Sequence, residues 1–90
     1  MKVELNRAGR KIELCSKDQR FADAFEIIKE NGYERVNALD VENWKDVQWE
    51  GIEFNRLFVK DGIFYRFNNW LGEYPYKSVE VEEIGRVKEG

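Results

Sequence analysis

The stretch RLFVKDGIFYRF, residues 56–67, admits few backbone arrangements. Two apolar runs flank an Asp-Gly pair, the dipeptide that favours the tight hairpin turn in which both central residues take positive φ. Counting outward from Asp61-Gly62 sets Lys60 opposite Ile63, Phe58 opposite Tyr65, Arg56 opposite Phe67 and Phe54 opposite Asn69. Side chains alternate across a strand, so one face collects Phe54, Phe58, Ile63, Tyr65 and Phe67 and reads as core. The other face holds Leu57, Val59 and Phe64 among Glu53, Asn55, Arg66 and Asn68. It reads as mixed, partly covered by an edge element.

The remaining segments are built around this hairpin. At the N-terminus, KVEL and KIELC flank a turn-prone Asn-Arg-Ala-Gly, and Ile12 and Leu14 alternate with Lys11 and Glu13. That is half-buried strand patterning, consistent with a small hairpin. At Ser16 the period changes. Ser-Lys-Asp-Gln matches a capping box closed by Gln19, and Phe21, Ala24, Phe25 and Ile28 then share one helical face. Asn31-Gly32 supplies the stop, since glycine takes the left-handed cap without a Cβ clash. Residues 33–50 fit either a strand around Val36 or helical turns with Val41, Trp44 and Val47 three apart. NNWLGEYPY reads as a loop. SVEVEEI reads as a last strand, with Val79 and Val81 on one side. The expected fold is α+β: one main helix (about 17–31) on an antiparallel sheet of about three to five strands, in β(β)αβββ order. The length suits a single domain, 1–90.

Composition narrows the chemistry. Among 90 residues there is no histidine and a single cysteine. The commonest general base and metal ligand is therefore missing, and no internal disulfide can form. Cys15 has no histidine to activate it, and an inert buried thiol is the expectation. No glycine-rich phosphate loop occurs. Asp40-x-Glu42 begins like a calcium loop, but Trp44 and Lys45 stand where an oxygen ligand and a glycine are needed. The expectation is a non-enzymatic protein with no cofactor and no metal. The opening residues lack a signal-like apolar run, and no stretch approaches ~18 apolar residues, so a soluble, cytoplasmic protein is expected, without a membrane partner.

Charge is unevenly distributed. Residues 1–20 carry six basic and three acidic groups, whereas residues 21–53 carry three basic and nine acidic groups, within a net charge of −3. Arg7, Arg10 and Lys11, with Arg56 and Arg66 of the hairpin, are the candidates for a phosphate-binding face beside stacking aromatics. KDGIFYRF departs from the RNA-recognition signature, however: Asp61 precedes Gly62, and bulky Phe64 stands where a small residue is required. The acidic segment favours a different partner. Glu42 and Asp46 surround Trp44 and Trp49, and acidic surfaces steer association with basic ones. Trp70, Leu71, Tyr74 and Tyr76 crowd into what reads as a surface loop, and Trp and Tyr dominate the centres of protein interfaces. In bulk composition the chain is similar to small phage and mobile-element proteins that block host factors. The leading expectation is a protein-binding inhibitor, adaptor or regulator, and the alternative is a single-stranded nucleic-acid-binding domain.

Overall fold

The computed structural model describes residues 1–6, 9–17, 23–53, 56–74 and 76–88. Along the chain run β1 (Val3–Leu5), β2 (Lys11–Cys15), α1 (Ala24–Glu30), β3 (Glu34–Arg35), a 3-10 turn (Ala38–Asp40), α2 (Trp44–Trp49), β4 (Leu57–Lys60), β5 (Ile63–Leu71) and β6 (Ser78–Val87). They form one antiparallel sheet in the order β1-β6-β5-β4-β3, with β2 also paired to β6. The α+β class and the main helix are as expected. The sheet has six strands rather than five at most, and α2 separates β3 from β4, so residues 33–50 form both a strand and helical turns.

The hairpin turn takes the expected geometry, with φ of 52° at Asp61 and 77° at Gly62. Lys60 pairs with Ile63 and Phe58 with Tyr65. The ladder starts at Leu57, so Arg56 and Phe67 are not ladder partners. Phe54 and Asn55 lie outside the described residues.

The second face of the hairpin is mixed, as expected, with a buried part around Leu57 and Phe64 and a polar part at Arg66 and Asn68. Leu57, Phe58 and Phe64 are each 0% exposed, and Tyr65 is 6% exposed. Neighbours in sequence point to opposite sides of a strand, so the sheet is buried on both. On one side Phe58, Tyr65, Val79 and Val81 pack with Ala24, Ile27 and Ile28 of α1. On the other, Leu57, Phe64 and Ile84 pack with Val3, Val36, Val41, Val47 and Ile52. The 36–52 segment thus acts as a second cover. A bulge interrupts the β6 ladder: Phe64 faces Gly85 while Tyr65 faces Glu83, leaving Ile84 as the extra residue. Alternation along the strand places Val79 and Val81 in one core and Ile84, three residues beyond Val81, in the other.

β1 and β2 do not form a hairpin. Both lie antiparallel to β6, Val3 to Leu5 along Val87 to Gly85 and Lys11 to Cys15 along Glu82 to Ser78. They therefore run in the same direction, end to end on one side of β6. The outer edge of β1 is closed by Asn43, whose side chain accepts from the Val3 N–H (2.9 Å) and donates to the Val3 carbonyl (2.8 Å).

Among the described residues α1 begins at Ala24, with Asp23 as its N-cap, the Oδ1 accepting from Phe25 N (2.8 Å) and Glu26 N (3.2 Å). The Ser16 backbone extends the β2 ladder, donating its N–H to the Lys77 carbonyl at 2.7 Å. Gln19 and Phe21 fall outside the described residues. Asn31 caps the other end, and Gly32 has the expected positive φ of 90°. At the far end of the hairpin, β5 runs on to Leu71, so Asn68 to Leu71 are strand rather than loop.

Two glycine-to-alanine changes separate local strain from tertiary overlap. At Gly62 a Cβ meets no atom within 4 Å, so only the positive φ is at stake. Gly62→Ala is expected to destabilise by about 1 kcal/mol. At Gly85 the Cβ would overlap the backbone of Glu4 and crowd that of Leu5, which cannot rotate aside. Gly85→Ala is expected to cost about 2 kcal/mol or more, because it pushes β1 off the sheet. Urea unfolding midpoints at unchanged slope check both, and equal losses would mean β1 is not held where described.

Candidate functional site

Two surfaces collect the aromatic and charged residues that the sequence singles out. The first is the end of the sheet around the β5–β6 connection. Trp70 and Leu71 are half-buried residues of β5 rather than loop residues, facing Val79 and Ser78 of β6. Trp70 packs against the helix-covered core. Its ring lies edge-on to Phe67 (6.2 Å between centroids) and stacks on Tyr76 at 5.3 Å. Tyr76 in turn meets Tyr74 edge-to-face at 6.0 Å. Phe67 continues the series inward to Phe25 and Phe25 to Phe58. The outcome is a chain of rings running from core to solvent, with only Tyr74 strongly exposed, at 75%. Arg35 lies over the Phe25 ring (5.4 Å) and Arg56 over the Phe67 ring (5.5 Å), where each guanidinium meets the negative face of its partner.

The second surface is the outer side of the 36–52 cover. Trp44 is half-buried against the second core and serves as an anchor. Val47 points inward at 0% exposure, and Trp49 consequently points outward at 89% exposure. Leu39, on the 3-10 turn, is exposed at 91%. Asp46 stands one turn before Trp49 on α2, a helical neighbour by spacing. Glu42, Asp46 and Glu50 are exposed on the same segment. Sequence reasoning included Trp49 but missed Leu39. Its signal was available: Leu39 falls outside the three-residue spacing of Val41, Trp44 and Val47.

The basic residues do not converge on one face. Arg10 is exposed and lies within electrostatic reach of the Tyr33 and Tyr65 phenols. Lys11 and Arg66 share a row on the opposite, Leu57 face, but Glu82 sits between them and pairs with Arg66 at 3.5 Å. Arg56 pairs with Glu53 at 3.2 Å. Arg56 and Arg66 do line one small depression with Glu53, Phe67 and Asn68, where the buried Arg66 Nε has no hydrogen-bond partner. Arg7 lies outside the described residues. Cys15 is exposed rather than buried, sharing the solvent-facing side of β2 with Lys11 and Glu13. Among the described residues no cluster of histidine, cysteine or carboxylate groups could hold a metal ion. No helix among them is long and apolar enough to cross a membrane.

Tyr33 and Tyr65 meet edge-to-face at 5.0 Å beneath Lys60, whose ammonium lies 5.0 Å from the Tyr33 ring centroid. Burial raises the pKa of both phenols above the ordinary 10.0. Tyr65 adds to the effect at Tyr33 and Glu83 adds to it at Tyr65, while Arg10 opposes it at both.

No protein-family model matches this chain, and no curated protein or solved structure matches it either.

Two outcomes follow from this geometry. Trp70→Ala is expected to cost about 2–4 kcal/mol, because it removes a ring packed on Phe67 and Tyr76. Tyr74→Ala should remain within about 0.5 kcal/mol of the parent in urea unfolding, as exposed positions do. The tyrosine pair gives an alkaline limit. The fold favours the neutral phenols, so their contribution is complete below the unfolded pKa of about 10 and is lost as pH rises toward the folded values. Unfolding free energy measured from about pH 9 to 11 should fall more steeply in the parent than in the Tyr33→Phe, Tyr65→Phe double variant.

Proposed function

We propose that the protein is a non-enzymatic protein-binding module that engages a basic partner surface through the outer side of its 36–52 segment. The observation that carries this reading is the near-complete exposure of Trp49 and Leu39, at 89% and 91%, within an acidic surface. Large apolar side chains standing alone in solvent are common. Here, though, they project from a segment whose Val36, Val41, Trp44, Val47 and Ile52 are turned into a core, and Glu42, Asp46 and Glu50 of the same segment are exposed with them. An apolar anchor inside a charged rim is the anatomy of a protein interface, the anchor supplying affinity and the rim orienting the encounter. Inhibitor, adaptor and regulator are the roles open to such a module. The exposed ring of Tyr74, with Tyr76 behind it, offers a secondary contact at the end of the sheet.

Capture from the native host's lysate supplies the partner. Trp49→Ala and Leu39→Ala should then leave unfolding within about 0.5 kcal/mol of the parent. Trp49→Ala should also weaken partner binding by about 2 kcal/mol or more, as the loss of a central aromatic anchor does. Binding that survives both changes would sink this reading.

A second reading, single-stranded nucleic-acid binding, is favoured by one observation. Arg56 and Arg66 line one depression beside Phe67, on which Arg56 is stacked. Salt-sensitive retention of mixed-sequence oligonucleotides, lost in an Arg56→Ala, Arg66→Ala double variant, would place this reading first.

A further inference from the structure

Among the described residues, the β2 edge of the sheet carries backbone groups that no hydrogen bond reaches. Of the other strands bordering the sheet, β1 is covered by the Asn43 side chain, and β3 spans only Glu34–Arg35. β2 pairs with β6 alone. The direction of its backbone groups follows from two flanking hydrogen bonds. Glu83 N donates to the Arg10 carbonyl at 2.8 Å, and Ser16 N donates to the Lys77 carbonyl at 2.7 Å. In an antiparallel ladder, hydrogen-bonded and non-hydrogen-bonded pairs alternate. Residues 10, 12, 14 and 16 therefore direct their amides and carbonyls at β6, and Lys11, Glu13 and Cys15 direct theirs outward. The Cys15 carbonyl is already occupied, accepting from Asn31 Nδ2 at 3.1 Å. Among the described residues no hydrogen bond reaches the outward groups of Lys11 and Glu13.

This short edge is complementary to itself. An antiparallel second copy can meet it in several registers. Glu13 opposite Glu13 or Lys11 opposite Lys11 sets like charges face to face, which destabilises a strand pair. With Ile12 opposite Ile12, each Lys11 faces a Glu13, and these outward-facing residues are the ones able to exchange N–H and C=O bonds. Ile12 then occupies the close, non-hydrogen-bonded site, where side chains approach most nearly. Ile12 is half-buried against the helix-covered core, so the two cores would become continuous across the junction. A second observation points the same way. Within one chain Glu13 lies directly opposite Glu80, a like-charge pair on the Leu57 face. In the self-paired register, Lys11 of the second copy stands on the other side of Glu13 and neutralises it.

We propose that the Lys11–Glu13 edge of β2 pairs antiparallel with the same edge of a second copy of this chain, Ile12 facing Ile12 and Lys11 facing Glu13 about a twofold axis. The contact is short, so the dimer is weak and responds to salt. Its arrangement also leaves the 36–52 cover of each copy free.

Sedimentation equilibrium over a range of protein concentrations tests this on the whole chain. The parent should show reversible dimerisation that weakens as salt is added. Lys11→Glu and Glu13→Lys should each weaken self-association by about tenfold or more, since both create like-charge pairs across the axis. An equimolar mixture of the two variants should recover it as a heterodimer, because every cross-axis pair is then of opposite sign. Glu13→Pro removes an outward N–H but no bond to β6, a placement edge strands tolerate. It should abolish dimerisation while circular dichroism and the urea midpoint stay near the parent values. A parent that sediments as a monomer throughout overturns the proposal, including the case in which the edge accepts another protein's extended peptide instead. A dimer indifferent to Glu13→Pro, or charge variants that fail to recover on mixing, overturns it equally.

Discussion

Burial of the β4–β5 hairpin on both faces is the constraint on which the rest of the structure depends. Leu57 beside Phe58, and Phe64 beside Tyr65, send large side chains to opposite sides of one pair of strands. Each such side chain gains roughly 1.5–3 kcal/mol on leaving water, but only if both sides are covered. A chain of 90 residues has little material for two covers. It meets the demand with α1 on one side and a segment of short turns on the other, and the alternating side chains of β6 feed both. The resulting body is elongated, 42 × 19 × 18 Å. It consists of two modest cores back to back rather than one large one.

The surfaces follow from this economy. A cover made of short turns can direct only a few residues inward, here Val36, Val41, Val47 and Ile52 with Trp44 partly so. Most of what lies between them faces solvent, and it includes Asp40, Glu42, Asp46 and Glu50. Trp49 and Leu39 are the departures from that pattern, which is why they carry the functional reading. At the end of the sheet the opposite holds. Trp70 and Tyr76 look exposed from sequence because they flank glycine and proline, yet they extend the core by stacking, and Tyr74 alone remains in solvent.

Some of this was legible from residues alone, and the reasons differ by element. The turn at Asp61-Gly62 fixed the hairpin register because both positions need positive φ, and few dipeptides supply it. The helix stop at Asn31-Gly32 was legible for the same reason. The N-cap at Asp23 was not, because nothing in the local pattern sets it apart from the acidic residues that follow it. The second core escaped because its covering residues are single valines and an isoleucine in irregular turns, with no sustained period. The N-terminal strands were recognisable as strands, but a local reading could not tell a hairpin from two segments sharing one distant neighbour. Of the site residues, Trp49 and Tyr74 are exposed and Trp44 and Trp70 are anchors. For Trp44 and Trp49 the three-residue spacing of Val41, Trp44 and Val47 records the division, whereas for Trp70 and Tyr74 only tertiary packing sets it.

Among the described residues the bulged strand β6 is the ladder partner of both β1 and β2, and it lies far downstream of them. During synthesis, therefore, these two strands leave the ribosome well before the strand they pair with. α1 and the hairpin can begin to form from neighbours, but the pairing of Val3 with Val87 closes a long loop, and such distant contacts form slowly. Until then β5 has one side unpaired, with apolar groups on both faces. The strands that will complete the sheet carry Lys11, Glu13, Glu80, Glu82 and Glu83, charges that keep a waiting strand from joining a stranger's sheet. In the interval before the fold closes, those charges work against association of the waiting strands, whatever pairings they enter afterwards.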